Sequence, residues 1–349
     1  MPVSVALVGA DLSGKSTLFR ALTRGRGHDG VGMVDVPDHR LQLLADAVSP
    51  KRVVHAQVRL VDAPPGSRAQ RIAAAREADV TVDVVRCFGP DPDPAGEVEG
   101  LEVDLALTDL ATVEKRLEAV EREVRVGRRH PDTELDTLQR AREHLDGGKG
   151  LGTLELEPEQ LEVLGPLFPV SIKPAVYVAN VGDDTLPDGG DAARRVRELA
   201  AARGAPAVAV CAQLEAELAE LEPAEAAELR ASYGLPPEER GSFGSDDAPS
   251  GLGAVARAVW QAGGLITFFT AGEPEVRAWP CQRDAPAPVA AGVIHSDFEK
   301  HFIRAEVTSV DELVAAGSMD ALRAAGKLRI EGRDYHVRDG DVVFFRVGR

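Results

Sequence analysis

At 349 residues the chain has room for two or three packed units, each with its own core, which excludes a single small module. A hydrophobic content of 44% without an apolar run long enough to span a bilayer argues against a membrane protein. With 40 Lys and Arg against 57 Asp and Glu the formal charge is −17, so DNA is not expected as a partner, and any RNA contact needs a local basic patch.

The N-terminal "MPVSVALVGADLSGKS" has neither a basic n-region nor a small-residue cleavage site, so no signal peptide is expected. "VSVALVG" (3–9) reads as a buried strand, and "GADLSGKST" follows it immediately. Gly9, Ala10, Asp11, Leu12, Ser13, Gly14, Lys15, Ser16 and Thr17 fit G-x-x-x-x-G-K-[ST]. At that spacing the loop N–H groups and the following helix N-terminus converge on phosphate oxygens. Lys15 then carries charge to the β and γ phosphates, and the Ser16 hydroxyl ligates Mg²⁺. The glycines of 26–32 predict a segment without a fixed conformation. Asp62 ends the next strand, "VRLVD" (58–62), where a Walker-B-type Asp holds Mg²⁺; without the loop it would read as a turn cap.

A third strand, "VTVDVV" (80–85), precedes a seam of Leu110, Val113, Leu117, Val120 and Val124 on a charged background. Gly127 and Pro131 break it, and Leu135, Leu138 and Leu145 resume the spacing. This is an inserted helical hairpin, or else two amphipathic helices lying on the sheet. "AVYVAN" (175–180) leads into Asn180, Val181 and Asp183, and "AVAVCA" (207–212) into Ala212, Gln213 and Leu214, the places where such a fold reads a base. Asp183 can accept the paired N–H donors of guanine, yet the Lys that usually follows the Asn is Val181 here. The base stays undecided, and Asp183 reads equally as an exposed loop acid.

Residues 236–251 read as a linker, and the strands after them as a separate β-rich domain. Cys87, Cys211 and Cys281 lack C-x-x-C spacing and read as buried small hydrophobes in a reducing compartment.

Collinear stretches, among them "GKSTLFRALT", "VPDHRLQLLADAVSPKR", "DLALTDLATVEKRLE", "KPAVYVANV", "VCAQLEAELAEL", "GLITFFTAGEPEVRAW", "GVIHSDFEKHFIRAEV" and "GKLRIEGRDYHVRDGDVVFFRV", cover nearly the whole chain. In these the chain resembles the YchF/Obg-like ATPase family. The resemblance implies an α/β fold: a G-domain-like P-loop NTPase with a doubly wound parallel sheet, an inserted α-helical hairpin and a C-terminal β-grasp (TGS) domain. It places the discontinuous G-domain at 1–104 and 166–264, the hairpin at 105–165 and the TGS domain at 265–349.

It also implies Mg-ATP, with GTP as the alternative, slow or impaired hydrolysis, a cytoplasmic location, and contact with the ribosome or its RNA through the arm and TGS domain. Lys15 and Asp62 are then the catalytic candidates, and Ser16 and Asp62 the metal ligands. Asn180 matches the family's Asn-x-x-Glu motif, whereas Asp183 is one methylene short. Arg125, Arg128, Arg129 and His130 at the hairpin tip form either a ribosome contact or a solvated helix end.

The chain departs from the family at three places. The D-x-A-G turn is Asp62-Ala63-Pro64-Pro65, so the glycine N–H that would meet a γ-phosphate is absent; Gly66 follows one step later. The stretch that organises the attacking water is shortened, leaving Arg68 and Gln70 nearby. No Thr lies between Thr23 and Thr81 to complete a magnesium shell. These departures leave a non-catalytic nucleotide-binding module and a slow GTPase as alternatives.

Overall fold

The computed structural model describes residues 3–62, 68–128, 132–236 and 251–348, with the side chains of 68–71 left aside. It divides into two compact units. One comprises residues 4–32 and 60–235, the other 1–3, 33–59 and 236–349.

The first unit is built on parallel strands. Val3–Val8 pairs with Val80–Cys87 in the register Val5↔Val80 to Val8↔Asp83. Val80–Cys87 pairs in turn with Ala175–Val181, and that strand with Ala207–Val210. Val82, Val84, Val176 and Val178 are buried. Covered on both faces, such strands read as continuous apolar runs rather than as alternation. All these strands run the same way, so their C-terminal ends and the loops after them share one edge, where ligands of open parallel sheets bind.

The seam read from the sequence is a helical arm. One continuous helix runs from Pro94 to Arg125, begun by Asp93 accepting from the Gly96 N–H, and packs against the helix Thr133–Asp146. Val113, Leu117 and Val120 bury against Leu138, Ala141 and Leu145, with Leu110 and Leu135 at the margin. The long helix starts at Pro94, so it passes the expected boundary at residue 105 without a break. Asp109 ties it to the returning chain: its buried carboxylate accepts from the N–H groups of Val170 (2.9 Å) and Ser171 (2.8 Å) and from the Ser171 hydroxyl (2.6 Å).

In the second unit the hairpin Leu265–Ala271 and Val276–Gln282 is followed by the helix Ala287–Ile294. Phe302–Ser309 then pairs antiparallel with Asp341–Val347, which lies parallel to Leu265–Ala271. A hairpin, a helix across it and a last strand parallel to the first make the β-grasp arrangement. Its core joins Phe268, Phe302 and Phe345 to Ala287, Ala290 and Ala291. Residues 33–59 group with this unit: Val53–Val54 extends the sheet beside Val276–Gln282, and Arg40 donates to Asp339 at 2.7 Å. No described helix is long and apolar enough to cross a membrane.

Candidate functional site

The first strand ends at Gly9, whose φ of 141° no side chain adopts comfortably and whose missing Cβ would stand 2.3 Å from the Val84 carbonyl oxygen. The loop closes at Gly14 (φ 94°), the N-cap of the helix Lys15–Leu22. A Cβ there would lie 2.0 Å from the Asn180 amide nitrogen. Lys15 folds its ammonium over the loop, donating to the carbonyls of Gly9 (3.1 Å) and Ala10 (2.5 Å).

Asn180 braces the loop from behind. Its Nδ2 donates to the Ser13 carbonyl at 2.9 Å, and its Oδ1 accepts from the Ala212 N–H at 3.0 Å. One buried amide therefore joins the glycine turn to the start of the helix Ala212–Leu218.

Asp62 and Ser16 meet beside Lys15. The Ser16 hydroxyl donates to the Asp62 carboxylate; burial raises the Asp62 pKa, while Ser16 and the Lys15 charge pull it back down. A buried carboxylate and a hydroxyl at the mouth of a helix N-terminus are hard oxygen donors suited to Mg²⁺. The Ser13 hydroxyl is fully buried with no hydrogen-bond partner among the described residues. The glycine-lined turn, this orphaned hydroxyl and the Ser16–Asp62 pair fit a metal-bound phosphate chain.

A cavity of about 830 Å³ opens here. Of the expected residues, Asp11, Leu12, Gly14, Lys15, Ser16, Thr17, Asp62, Asn180, Val181, Asp183, Gln213 and Leu214 line it. Gly9, Ala10, Ser13 and Ala212 stand behind this lining, as the partners of Lys15 and Asn180 just described. Sequence reasoning missed Phe88, Glu217 and Tyr233 in the wall, where Gly182 and Cys211 of the two expected loops also stand. Phe88 follows directly on a sheet strand, a position that could have flagged it. Tyr233 follows the helix Pro223–Ser232 and carries no local signal.

The glycine-rich segment after the first helix differs from expectation. His28 and Val31 pair across a tight turn, and the Gly30 carbonyl accepts from the Asp62 N–H at 2.8 Å. Gly30 has φ 72°, and a Cβ on it would lie 2.1 Å from the Asp62 carbonyl oxygen, so the glycine serves close approach rather than disorder. The Thr23 hydroxyl is taken by the Phe19 carbonyl at 2.8 Å and is no substitute for the missing threonine. Ala63, Pro64, Pro65, Gly66, Arg129 and His130 lie outside the described residues, as do the side chains of Arg68 and Gln70. All three cysteines are buried and free, and burial holds their thiols protonated: the Cys87 and Cys281 pKa values are pushed up to about 12, and that of Cys211 is raised.

Over 375 residues the chain is 35% identical to the ribosome-binding ATPase YchF of Bacillus subtilis, with 99% of each chain covered. The chain belongs to the YchF family. The same name is carried by a Haemophilus ducreyi relative, 36% identical over 99% of both chains, and by one from Escherichia coli O157:H7, 35% identical over 99% of both. The YchF C-terminal family model, described as YchF-GTPase_C (protein of unknown function, DUF933), matches residues 265–348. The fold is that of the Schizosaccharomyces pombe YchF GTPase, with a TM-score of 0.83 at 24% identity over 99% of this chain and 97% of that one.

Proposed function

We propose that the chain is a cytoplasmic, ribosome-associated ATPase, binding Mg-ATP in the cavity between the Gly9–Thr17 loop and Asp183 and hydrolysing it slowly. The observation that carries this reading is the meeting of Lys15, Ser16 and Asp62 at the mouth of a glycine turn braced by Asn180. Bound Mg-ATP supplies an electrophilic γ-phosphorus. The chain's own residues do the positioning: the loop N–H groups and Lys15 hold the phosphate oxygens, and Ser16 and Asp62 hold the metal. Phosphoryl transfer needs little beyond such positioning and charge stabilisation.

Slow turnover follows from Pro65, which has no N–H to offer at the family's glycine position, and from the engagement of the Thr23 hydroxyl within its own helix. The curated bacterial relatives are named ribosome-binding, and Arg125 and Arg128, exposed at the end of the arm helix, supply local positive charge to an acidic protein. Such charge suits contact with ribosomal RNA.

Single-turnover hydrolysis of labelled ATP with protein and Mg²⁺ in excess tests the enzymatic reading. Hydrolysis clearly above that of Lys15→Ala is the expected result. Bound but intact ATP would leave a binding module that has lost turnover, and nucleotide affinity unmoved by Lys15→Ala would refute the site. Co-sedimentation with ribosomes in ATP, in ADP and without nucleotide tests the partner.

A further inference from the structure

We propose that Tyr233 is the residue that sets base preference in this cavity, by occupying one oxygen of the Asp183 carboxylate so that the other reads the 6-amino group of adenine. The inference rests on the nucleotide reading above. Tyr233 and Asp183 both line the cavity. The Tyr233 hydroxyl donates to Asp183 Oδ2 at 3.4 Å.

The tyrosine is held by structure. It is the C-cap of the helix Pro223–Ser232, and Gly234 follows it in the left-handed region at φ 69°. The Leu235 N–H returns to the Arg230 carbonyl at 3.0 Å and the Gly234 N–H to Ala231 at 3.0 Å, which closes the helix end. Arg230 is buried against Glu215 on the helix Ala212–Leu218. That helix starts where Ala212 donates to Asn180. Contacts therefore run from the phosphate loop through Asn180, the two helices and Tyr233 to Asp183.

The chemistry follows from counting donors and acceptors. Guanine presents N1–H and a 2-amino N–H side by side, and a carboxylate grips both best with both oxygens open, so a phenol already donating to Oδ2 competes with one of the two bonds. Adenine presents a 6-amino group, one of whose N–H bonds a single oxygen satisfies. The neighbouring Asp183 charge raises the Tyr233 pKa, so the phenol remains a donor at neutral pH. A Phe at this position would release Oδ2 and restore the paired acceptor.

The test compares the affinities of fluorescent ATP and GTP for the full chain, for Tyr233→Phe, for Asp183→Asn and for the double variant. Wild type should prefer ATP, and Tyr233→Phe should move the ratio towards GTP about five- to tenfold, the worth of one hydrogen bond. In the Asp183→Asn background Tyr233→Phe should leave the ratio within twofold, because the tyrosine acts through that carboxylate. A tyrosine that merely shapes the wall would weaken both nucleotides alike. A wild type that prefers GTP, an unmoved ratio in Tyr233→Phe, or a shift that persists without the carboxylate overturns the inference. Wild type that binds ATP in a Lys15-dependent way but fails these tests leaves the ATP site standing; wild type that binds neither nucleotide removes both. Purine riboside triphosphate, which lacks the 6-amino group, gives a readout without any variant: about tenfold weaker binding than ATP is expected, and equal binding overturns the proposal.

Discussion

Replacing Asn180 by Ala removes two hydrogen bonds from a residue that is 5% exposed, leaving the Ser13 carbonyl and the Ala212 N–H without their partner. An unpaired buried backbone group costs about 1–3 kcal/mol, so the loss of two is about 2–6 kcal/mol, against about 5–15 kcal/mol for a whole domain. Urea unfolding measures the total, and amide exchange at Ala212 reports one of the two bonds directly. Nucleotide affinity reports the other, because a freed Ser13 carbonyl loosens the turn that faces phosphate; a drop of at least about tenfold is expected, equal to about 1.4 kcal/mol. Asn180→Asp separates the two ends. It keeps an oxygen for the Ala212 N–H but turns an oxygen towards the Ser13 carbonyl, so slow exchange at Ala212 should survive while nucleotide binding fails. A stability loss below about 0.5 kcal/mol in Asn180→Ala, or equal damage at both ends in Asn180→Asp, would refute the brace.

Two further perturbations test buried charge in the same unit. Burial pushes the Asp83 carboxyl up to about 7 from 3.8, with Glu102 adding to the rise and Thr81 opposing it, and its Oδ1 has no partner among the described residues. Between about pH 4 and pH 7 the folded chain keeps a proton that the unfolded chain releases, so this group makes stability fall as pH rises and then level off. Asp83→Asn removes that slope and should gain about 2–3 kcal/mol on wild type between pH 5 and pH 8 in urea unfolding; parallel curves for the two proteins would contradict the assignment. Arg230→Met takes the guanidinium away from the buried Glu215 carboxylate, whose contacts to it are 3.1 and 3.2 Å, and should cost about 3–5 kcal/mol. Adding Glu215→Leu should recover most of that loss, and a double variant no more stable than the single one would show that the pair is not the reason.

Features that repeat along the chain are legible in the amino-acid order itself. The apolar runs at 3–9, 80–85 and 175–180 are strands because a parallel sheet covered on both faces leaves no polar alternation. The three-four spacing from Leu110 to Val120 is the buried stripe of an arm whose partner repeats it at Leu138 and Leu145. The phosphate loop is legible because its glycines answer local demands: φ 141° at Gly9, φ 94° at Gly14, and no space for a Cβ at either. By contrast, the glycines at 26–32 read as disorder, because composition cannot reveal that Gly30 stands against the Asp62 carbonyl. Nor can it reveal that residues 33–59 pack with strands more than two hundred positions away, since Val53 meets Val276 only through the sheet.

The surroundings of Asn180 and Asp183 are the least legible part of the cavity, for the same physical reason. Asn180 stands out as a base-reading residue from its motif, yet its amide is occupied with Ser13 and Ala212, so it shapes the cavity rather than offering both ends of its side chain to a ligand. Asp183 leaves the base open because a carboxylate's preference depends on how many of its oxygens are available, and Tyr233, which takes one of them, lies fifty residues away. The motifs identify which groups reach the cavity. The hydrogen bonds between those groups decide which faces of them remain for a nucleotide, and these bonds are made only when distant helices pack.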